Sequence, residues 1–229
     1  MNEKKFTLWN RICAALAFVV STVTYLLTLE PSASYWDCGE FIASSYKLDV
    51  GHPPGNPLFQ LIARFFTLFG DNMHAAVLVN ALSALCSGLT ILFLYLTVVW
   101  LAKRLIRPAA GTYSAGQALA ICGSGLVGAL VYAFSDTFWF SAVEGEVYAM
   151  SSLFTAAVFW LMTVWYDRAD EPHALRWIVL IAFLMGLSIG VHLLNLLAIP
   201  VLVFMYYYRQ REDRPSLSGN WSKSCWSAR

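Results

Sequence analysis

Charge is what this sequence has least of. Only 13% of its 229 residues are Asp, Glu, Lys or Arg, while 59% are hydrophobic and the mean hydropathy is +0.59. That much apolar surface cannot be hidden in one water-soluble core of this size, which excludes an ordinary soluble domain and points to a polytopic membrane protein. The net charge of +1 carries little information by itself, and no nucleic-acid partner is expected. Cysteine is equally uninformative. Cys13, Cys86 and Cys122 lie inside apolar runs, Cys38 and Cys225 fall on opposite sides of the topology derived below, and none has metal-ligand spacing. Neither a disulfide framework nor a zinc site is expected on that basis. Internal repeats, low-complexity segments and any soluble domain are also missing.

What is present is a series of long apolar runs. They cover roughly 10–29, 75–102, 117–140, 147–166 and 177–208, and a spanning helix needs about 20 such residues. The last run is too long for one span. Gly186, Gly190 and Pro200 interrupt it, so it reads as two short helices joined by a tight turn near His192. The expected fold is an all-α polytopic membrane protein with about six transmembrane helices over residues 1–210, followed by a polar tail, 211–229, with no packed structure.

Basic residues set the orientation. Lys4, Lys5 and Arg11 precede the first run, Lys103, Arg104 and Arg107 follow the second, and Arg168 and Arg176 lie between the fourth and fifth spans. Arg209, Arg211, Arg214, Lys223 and Arg229 follow the sixth. Of 15 Lys and Arg, only Lys47 and Arg64 remain for the other side. The positive-inside rule therefore places both termini in the cytoplasm. The first run could also be a signal peptide, with Ser32-Ala33-Ser34 as the small residues of a cleavage point, but its length favours a retained anchor.

The scarce ionisable groups gather on the non-cytoplasmic face. Asp37 and Glu40 stand at i and i+3 of a short helix expected from about Trp36 or Asp37, and so share a face. One could serve as general base while the other orients a hydroxyl, a metal or a basic partner. Alternatively, Asp37 is an N-cap and Glu40 its capping-box partner. In GHPPGNP, the prolines and glycines build a rigid turn that enters a short, strongly apolar interfacial helix, PLFQLIARFFTLFG. His52 and Arg64 could contact a lipid phosphate there, or the turn could be structural and Arg64 could snorkel. Glu144 and Glu146 in AVEGEVY would diverge on a helix, and the alternative is that both are solvated corner charges. His192 and Asn195 have helical spacing in an apolar hairpin, the usual setting of a helix–helix hydrogen bond. Asp136 is expected at the interface beside the aromatic TFWF.

Asp-x-Gly-Glu, followed about a dozen residues on by His-Pro-Pro-Gly-x-Pro-Leu, resembles the membrane family catalogued as domain of unknown function 2723. AVEGEVYAMSSLF is similar to that family's second signature, usually written with Ala where this chain has Gly145. The family includes animal protein O-mannosyltransferases and is similar to the GT-C glycosyltransferases, and its members are usually longer. The resemblance therefore implies the N-terminal portion of a GT-C-like transferase. Such an enzyme would move a sugar, perhaps mannose, from a polyprenyl-phosphate donor to a protein hydroxyl on the non-cytoplasmic face of a bacterial inner membrane. It makes Asp37 the leading catalytic acid with Glu40 as its partner. His52, Arg64, Lys47, Glu144, Glu146 and His192 become substrate-binding candidates. No metal ligands are assigned; two carboxylates are too few to decide whether a divalent metal is needed. The expected partners are the lipid-linked sugar, an acceptor protein and membrane lipids. The rival readings are a membrane transporter component and a non-catalytic structural subunit; polar groups collected at one rim rather than at mid-bilayer favour the enzyme.

Overall fold

A computed structural model describes residues 1–106 and 112–212. Among the described residues there are nine α-helices and no strand. In chain order they are α1 Glu3–Leu27, α2 Cys38–Lys47, α3 Pro57–Thr67, α4 Ala75–Leu105, α5 Ala115–Ala133, α6 Asp136–Val143, α7 Val147–Asp167, α8 Leu175–Ile189 and α9 Ile199–Glu212. A 3-10 helix, Leu193–Ala198, joins the last two. The tail from 213 onward, with Arg214, Lys223, Cys225 and Arg229, lies outside the described residues, as does Arg107.

The axis of the bundle is α4, whose 31 residues rise about 1.5 Å each and exceed the ~30 Å hydrocarbon layer. It packs against α1, α5 and α7. Small residues allow the close approach. A Cβ on Gly88 would lie 1.9 Å from Thr22 Oγ1 of α1, and one on Gly125 of α5 would lie 2.6 Å from Val99 Cγ2 and 2.8 Å from the Tyr95 ring. Two fully buried tyrosines tie the helices together through their hydroxyls. Tyr25 donates to the Ala133 carbonyl at 2.8 Å, and Tyr95 to Asn10 Oδ1 at 2.9 Å. Val19, Val127 and Val131 point outward and are exposed, so these helices are apolar on their outer as well as their inner faces. Water would not tolerate that arrangement; lipid requires it.

Four helices, α1, α4, α5 and α7, are long and apolar enough to cross a membrane. The expectation of six spans is thus met only in part. The final run does divide near His192, but α8 and α9 have 15 and 14 residues and form a shorter hairpin. The 117–140 run also differs from expectation. It breaks after Ala133, and Ser135 then stands at the N-cap of the separate helix α6, with Asp136 in its first turn where the helix dipole favours a negative charge.

Charge separates along the bundle. At one end Arg104 pairs with Asp167 at 2.5 Å and Arg209 pairs with Asp170, tying the C-terminal ends of α4, α7 and α9 together. At the other end lie α2, α3, the 144–146 corner and the break after α8. Replacing Gly125 by Leu is expected to lower stability by about 1–3 kcal/mol, because Val99 and Tyr95 occupy the space the side chain needs. Denaturant unfolding of the detergent-solubilised chain checks this; an unchanged midpoint would contradict the α4–α5 packing.

Candidate active site

The approach to α2 is tightly specified. Trp36 adopts φ 60, a left-handed conformation that costs a bulky residue about 1–3 kcal/mol, and delivers Asp37 to the N-cap position. Asp37 makes no capping bond from its side chain. Glu40 reaches instead across to the His-Pro-Pro-Gly turn. Its Oε1 accepts the His52 backbone N–H at 2.6 Å, and its Oε2 lies 3.1 Å from His52 Nδ1. The capping-box reading of this pair is therefore overturned: Glu40 clasps His52. That clasp holds its carboxyl below the ordinary range, first through the backbone N–H and then through the ring. His52 Nε2 in turn stands 4.0 Å from Asp37 Oδ2.

The turn is held from behind. Gly55 adopts φ 82, which favours glycine, and its N–H closes onto the His52 carbonyl at 3.0 Å. Pro57 opens α3, leaving the next amides free to look outside the helix. Leu58 and Phe59 donate to the Gly190 carbonyl at 2.8 and 3.4 Å. The start of α3 is thereby fastened to the end of α8.

The corner after α6 overturns the alternative reading of Glu144 and Glu146 as solvated charges. Glu144 and Glu146 are 3% and 5% exposed, in extended backbone rather than on one helix. Gly145 between them fits this chain closely: a Cβ there would lie 2.9 Å from both Asn80 Oδ1 and Val79 Cγ1. The Ala of the related signature would push Asn80, whose amide holds the Glu30 and Ser32 carbonyls at 2.7 and 3.2 Å. Burial raises both carboxyls, and that of Glu146 reaches about 7 with the charges of Glu144 and Asp37 adding to the effect.

Asp37, His52 and His192 line one cavity of about 170 Å³ with Phe41, Asn56, Val191 and Tyr148. His192 Nδ1 accepts the Leu194 N–H at 3.2 Å, and its ring lies 5.4 Å from that of Tyr148. Burial pushes its pKa down, so the neutral ring carries its proton on Nε2. Tyr148 also lines a second cavity of about 630 Å³ between α4, α5 and α7. There Thr90 and Thr97 turn their hydroxyls back onto their own helix at 2.9 and 2.8 Å, leaving methyl groups toward the space. Asn195 makes the expected helix–helix bonds, accepting from Ser151 and Thr155 at 2.8 Å each.

Two candidates stand apart. Arg64 donates to the Tyr46 carbonyl at 2.6 Å and to Thr67 at 3.3 Å, with its charge 5.2 Å from the Tyr46 ring. Lys47 is exposed at the last turn of α2. Neither lines the cavity, and neither do Glu40, Glu144 or Glu146, of which Glu40 reaches it only through His52. Sequence reasoning missed Tyr148, whose place in the AVEGEVY signature was the available signal. It also assigned no metal donors, whereas Asp37, Glu40 and His52 each offer a ligand atom within 4.8 Å of the others.

Fold and site together define a polytopic integral membrane protein with a carboxylate–histidine cavity at one rim of an all-helical bundle. Residues 37–215 match the family described as the Protein O-mannosyl-transferase TMEM260 N-terminal domain, and the chain belongs to that family. It is 27% identical over 215 residues to Protein O-mannosyl-transferase tmem260 of Dictyostelium discoideum, covering 88% of this chain and 24% of the relative. It is 29% identical over 204 residues to Protein O-mannosyl-transferase TMEM260 of Mus musculus, covering 88% and 26%. The chain thus spans about a quarter of the length of these relatives. The O-mannosyltransferase side of the resemblance is borne out; the label domain of unknown function 2723 is not the one that matches. No solved structure matches the chain.

The raised carboxyl of Glu146 makes stability fall as pH rises. The folded state holds the proton up to about 7, whereas the unfolded state releases it near the ordinary value of about 4.3. Stability is therefore fully present below that lower value and declines between the two. Glu146→Gln is expected to remove this decline and raise the melting temperature more at pH 8 than at pH 5. Thermal unfolding of both proteins in detergent tests it; equal shifts at the two pH values would show that Glu146 is not protonated by its burial.

Proposed function

We propose that this chain forms the donor-binding, catalytic membrane portion of a protein O-mannosyltransferase. It would use a polyprenyl-phosphate mannose donor and a serine or threonine acceptor on the non-cytoplasmic face. The observation that supports this reading is the convergence of Asp37, the Glu40–His52 clasp and His192 on one cavity that shares Tyr148 with a larger intramembrane one. An amphipathic donor needs both: a polar space for sugar and phosphate, and an apolar one for the isoprenoid chain.

The roles follow from the chemistry of each group. Asp37, exposed and not engaged in capping, takes the proton of the acceptor hydroxyl as its oxygen attacks the anomeric carbon. The bond from that carbon to the phosphate oxygen breaks, and the polyprenyl phosphate departs with the electron pair. His192, neutral with its proton on Nε2, donates a hydrogen bond to the departing phosphate. Glu40 fixes His52, and Tyr148 forms the wall between sugar and lipid. Removing a general base costs about 10²–10⁴-fold, so Asp37→Asn is expected to reduce transfer by about 100-fold or more at unchanged protein level. The measurement is transfer of radiolabelled mannose from polyprenyl-phosphate mannose in membranes containing the chain. Undiminished transfer by the variant would overturn the role of Asp37.

Cytoplasmic termini would place the loop between α2 and α3 outside and the end of α4 inside. In a cysteine-free background, Val50→Cys, at 92% exposure, is expected to react with an impermeant maleimide in sealed cells, and Leu105→Cys, at 84% exposure, only after permeabilisation. The reverse pattern would invert the orientation.

A further inference from the structure

The basic end of the bundle carries more positive charge than its own acids neutralise. Arg104 and Arg209 are engaged with Asp167 and Asp170. Arg168, Arg176 and Arg211 have no carboxylate partner among the described residues. They lie on aromatic rings instead. Arg168 and Arg176 converge on Trp177, their guanidinium carbons 5.5 and 5.4 Å from its ring centroid, and Arg211 lies 5.0 Å from that of Tyr207. The indole Nε1 of Trp177 is buried and has no acceptor. Between α7 and α8, Glu171 is the acid left without an ion pair, so one negative group faces three positive ones.

Next to this cluster is an apolar groove. Helices α7, α8 and α9 surround about 470 Å³ lined by Met162, Ile178, Ile181, Met185, Leu202 and Tyr206, with the Tyr206 hydroxyl the one polar side-chain group that borders it. On α8 it extends from Ile178 to Met185, about 10 Å at 1.5 Å per residue. Arg176 stands two positions before Ile178, and Arg211 five positions after Tyr206. The unpaired charges therefore lie beyond one end of the groove, within about two helical turns of it.

The two features together specify an occupant. An apolar groove does not hold water, and in a bilayer the hydrocarbon available to fill it is an acyl chain. A chain lying there carries its headgroup toward the arginines. Their planar forks match phosphate oxygens, the indole N–H offers a further donor, and the excess of positive charge favours a headgroup that is negative overall.

We propose that this groove, with Arg168, Arg176 and Arg211, forms a site for one anionic diacyl phospholipid, an acyl chain lying between α8 and α9 and the phosphate held by the guanidiniums. The site depends neither on the transferase reading nor on which side of the membrane the basic end occupies. Lys4 and Arg11 give an internal comparison. They border a surface hollow at the start of α1 with Glu3, Thr7 and Leu8, a basic patch without an apolar groove.

The test is native mass spectrometry of the full chain, purified in neutral detergent, delipidated and titrated with dioleoyl phosphatidylglycerol or dioleoyl phosphatidylcholine. One phosphatidylglycerol is expected to bind about tenfold or more tightly than phosphatidylcholine, a comparison that needs no variant. The double change Arg168→Ala with Arg176→Ala should bring phosphatidylglycerol down to the phosphatidylcholine level, and Lys4→Ala with Arg11→Ala should leave it unchanged. Ala182→Phe, which fills the groove from an exposed wall position, should weaken both lipids. Glycerol phosphate, the headgroup chemistry without the chains, should not compete. Melting curves in lipid-free detergent confirm that the variants are folded. Equal affinity for the two lipids, or the same loss from the Lys4 and Arg11 changes as from the arginine pair, overturns the site. So does lipid binding unaltered by Ala182→Phe, and so does displacement of the lipid by glycerol phosphate, which would mark a free-phosphate site instead.

Discussion

A peptide N–H or C=O left unpaired in hydrocarbon costs several kcal/mol, and this one constraint arranges the rest of the molecule. Within the lipid layer the chain must be helical, so every irregular segment that carries chemistry is pushed to an end of the bundle. Three such segments meet at the same end: the turn around His52, the corner at Glu144–Glu146 and the break at Gly190–His192. They satisfy one another's backbone. Leu58 donates to the Gly190 carbonyl, and Glu30 donates to the Val143 carbonyl at 3.2 Å. The cavity is thus formed where backbone that cannot be helical finds partners outside its own segment.

The same constraint explains why so few charges suffice. At the basic end, arginines pair with Asp167 and Asp170 and lie against Trp100 and Tyr166, binding helix ends that would otherwise splay. At the opposite end the carboxylates are not neutralised by lysine or arginine. Glu40 is stabilised as an anion by the His52 N–H, whereas Glu146 is driven toward neutrality by burial and by its acidic neighbours. Environments that push two carboxyl groups in opposite directions within one rim are what proton transfer uses.

Tyr148 connects the two scales of the site. Its ring lies tilted against that of His192 at the polar cavity, and it also borders the larger space beneath. Close packing elsewhere depends on missing side chains, at Gly88, Gly125 and Gly145. Gly145 shows the coupling most directly: because Asn80 fills the space beside it, the corner sits flush against α4, and both flanking glutamates are buried. A change at position 145 would therefore act on acid–base chemistry through packing.

The sequence alone determined the features that follow from composition and local spacing. Apolar runs gave the membrane and four of the spans, the Gly and Pro punctuation gave the division near His192, and Asp-x-Gly-Glu with His-Pro-Pro-Gly gave the family. Local spacing could not decide what the side chains touch. Asp37 and Glu40 at i and i+3 fit a capping box as well as a site, and only the folded turn shows Glu40 holding His52, twelve positions away. Glu144 and Glu146 looked like corner charges because burial is a property of what packs over them, here α2 and α4. Arg64 was a plausible phosphate ligand until the end of α2 supplied a nearer acceptor in Tyr46. Hydropathy reads along the chain, where the membrane acts; partner choice is set across it, by contacts between segments that no local pattern encodes.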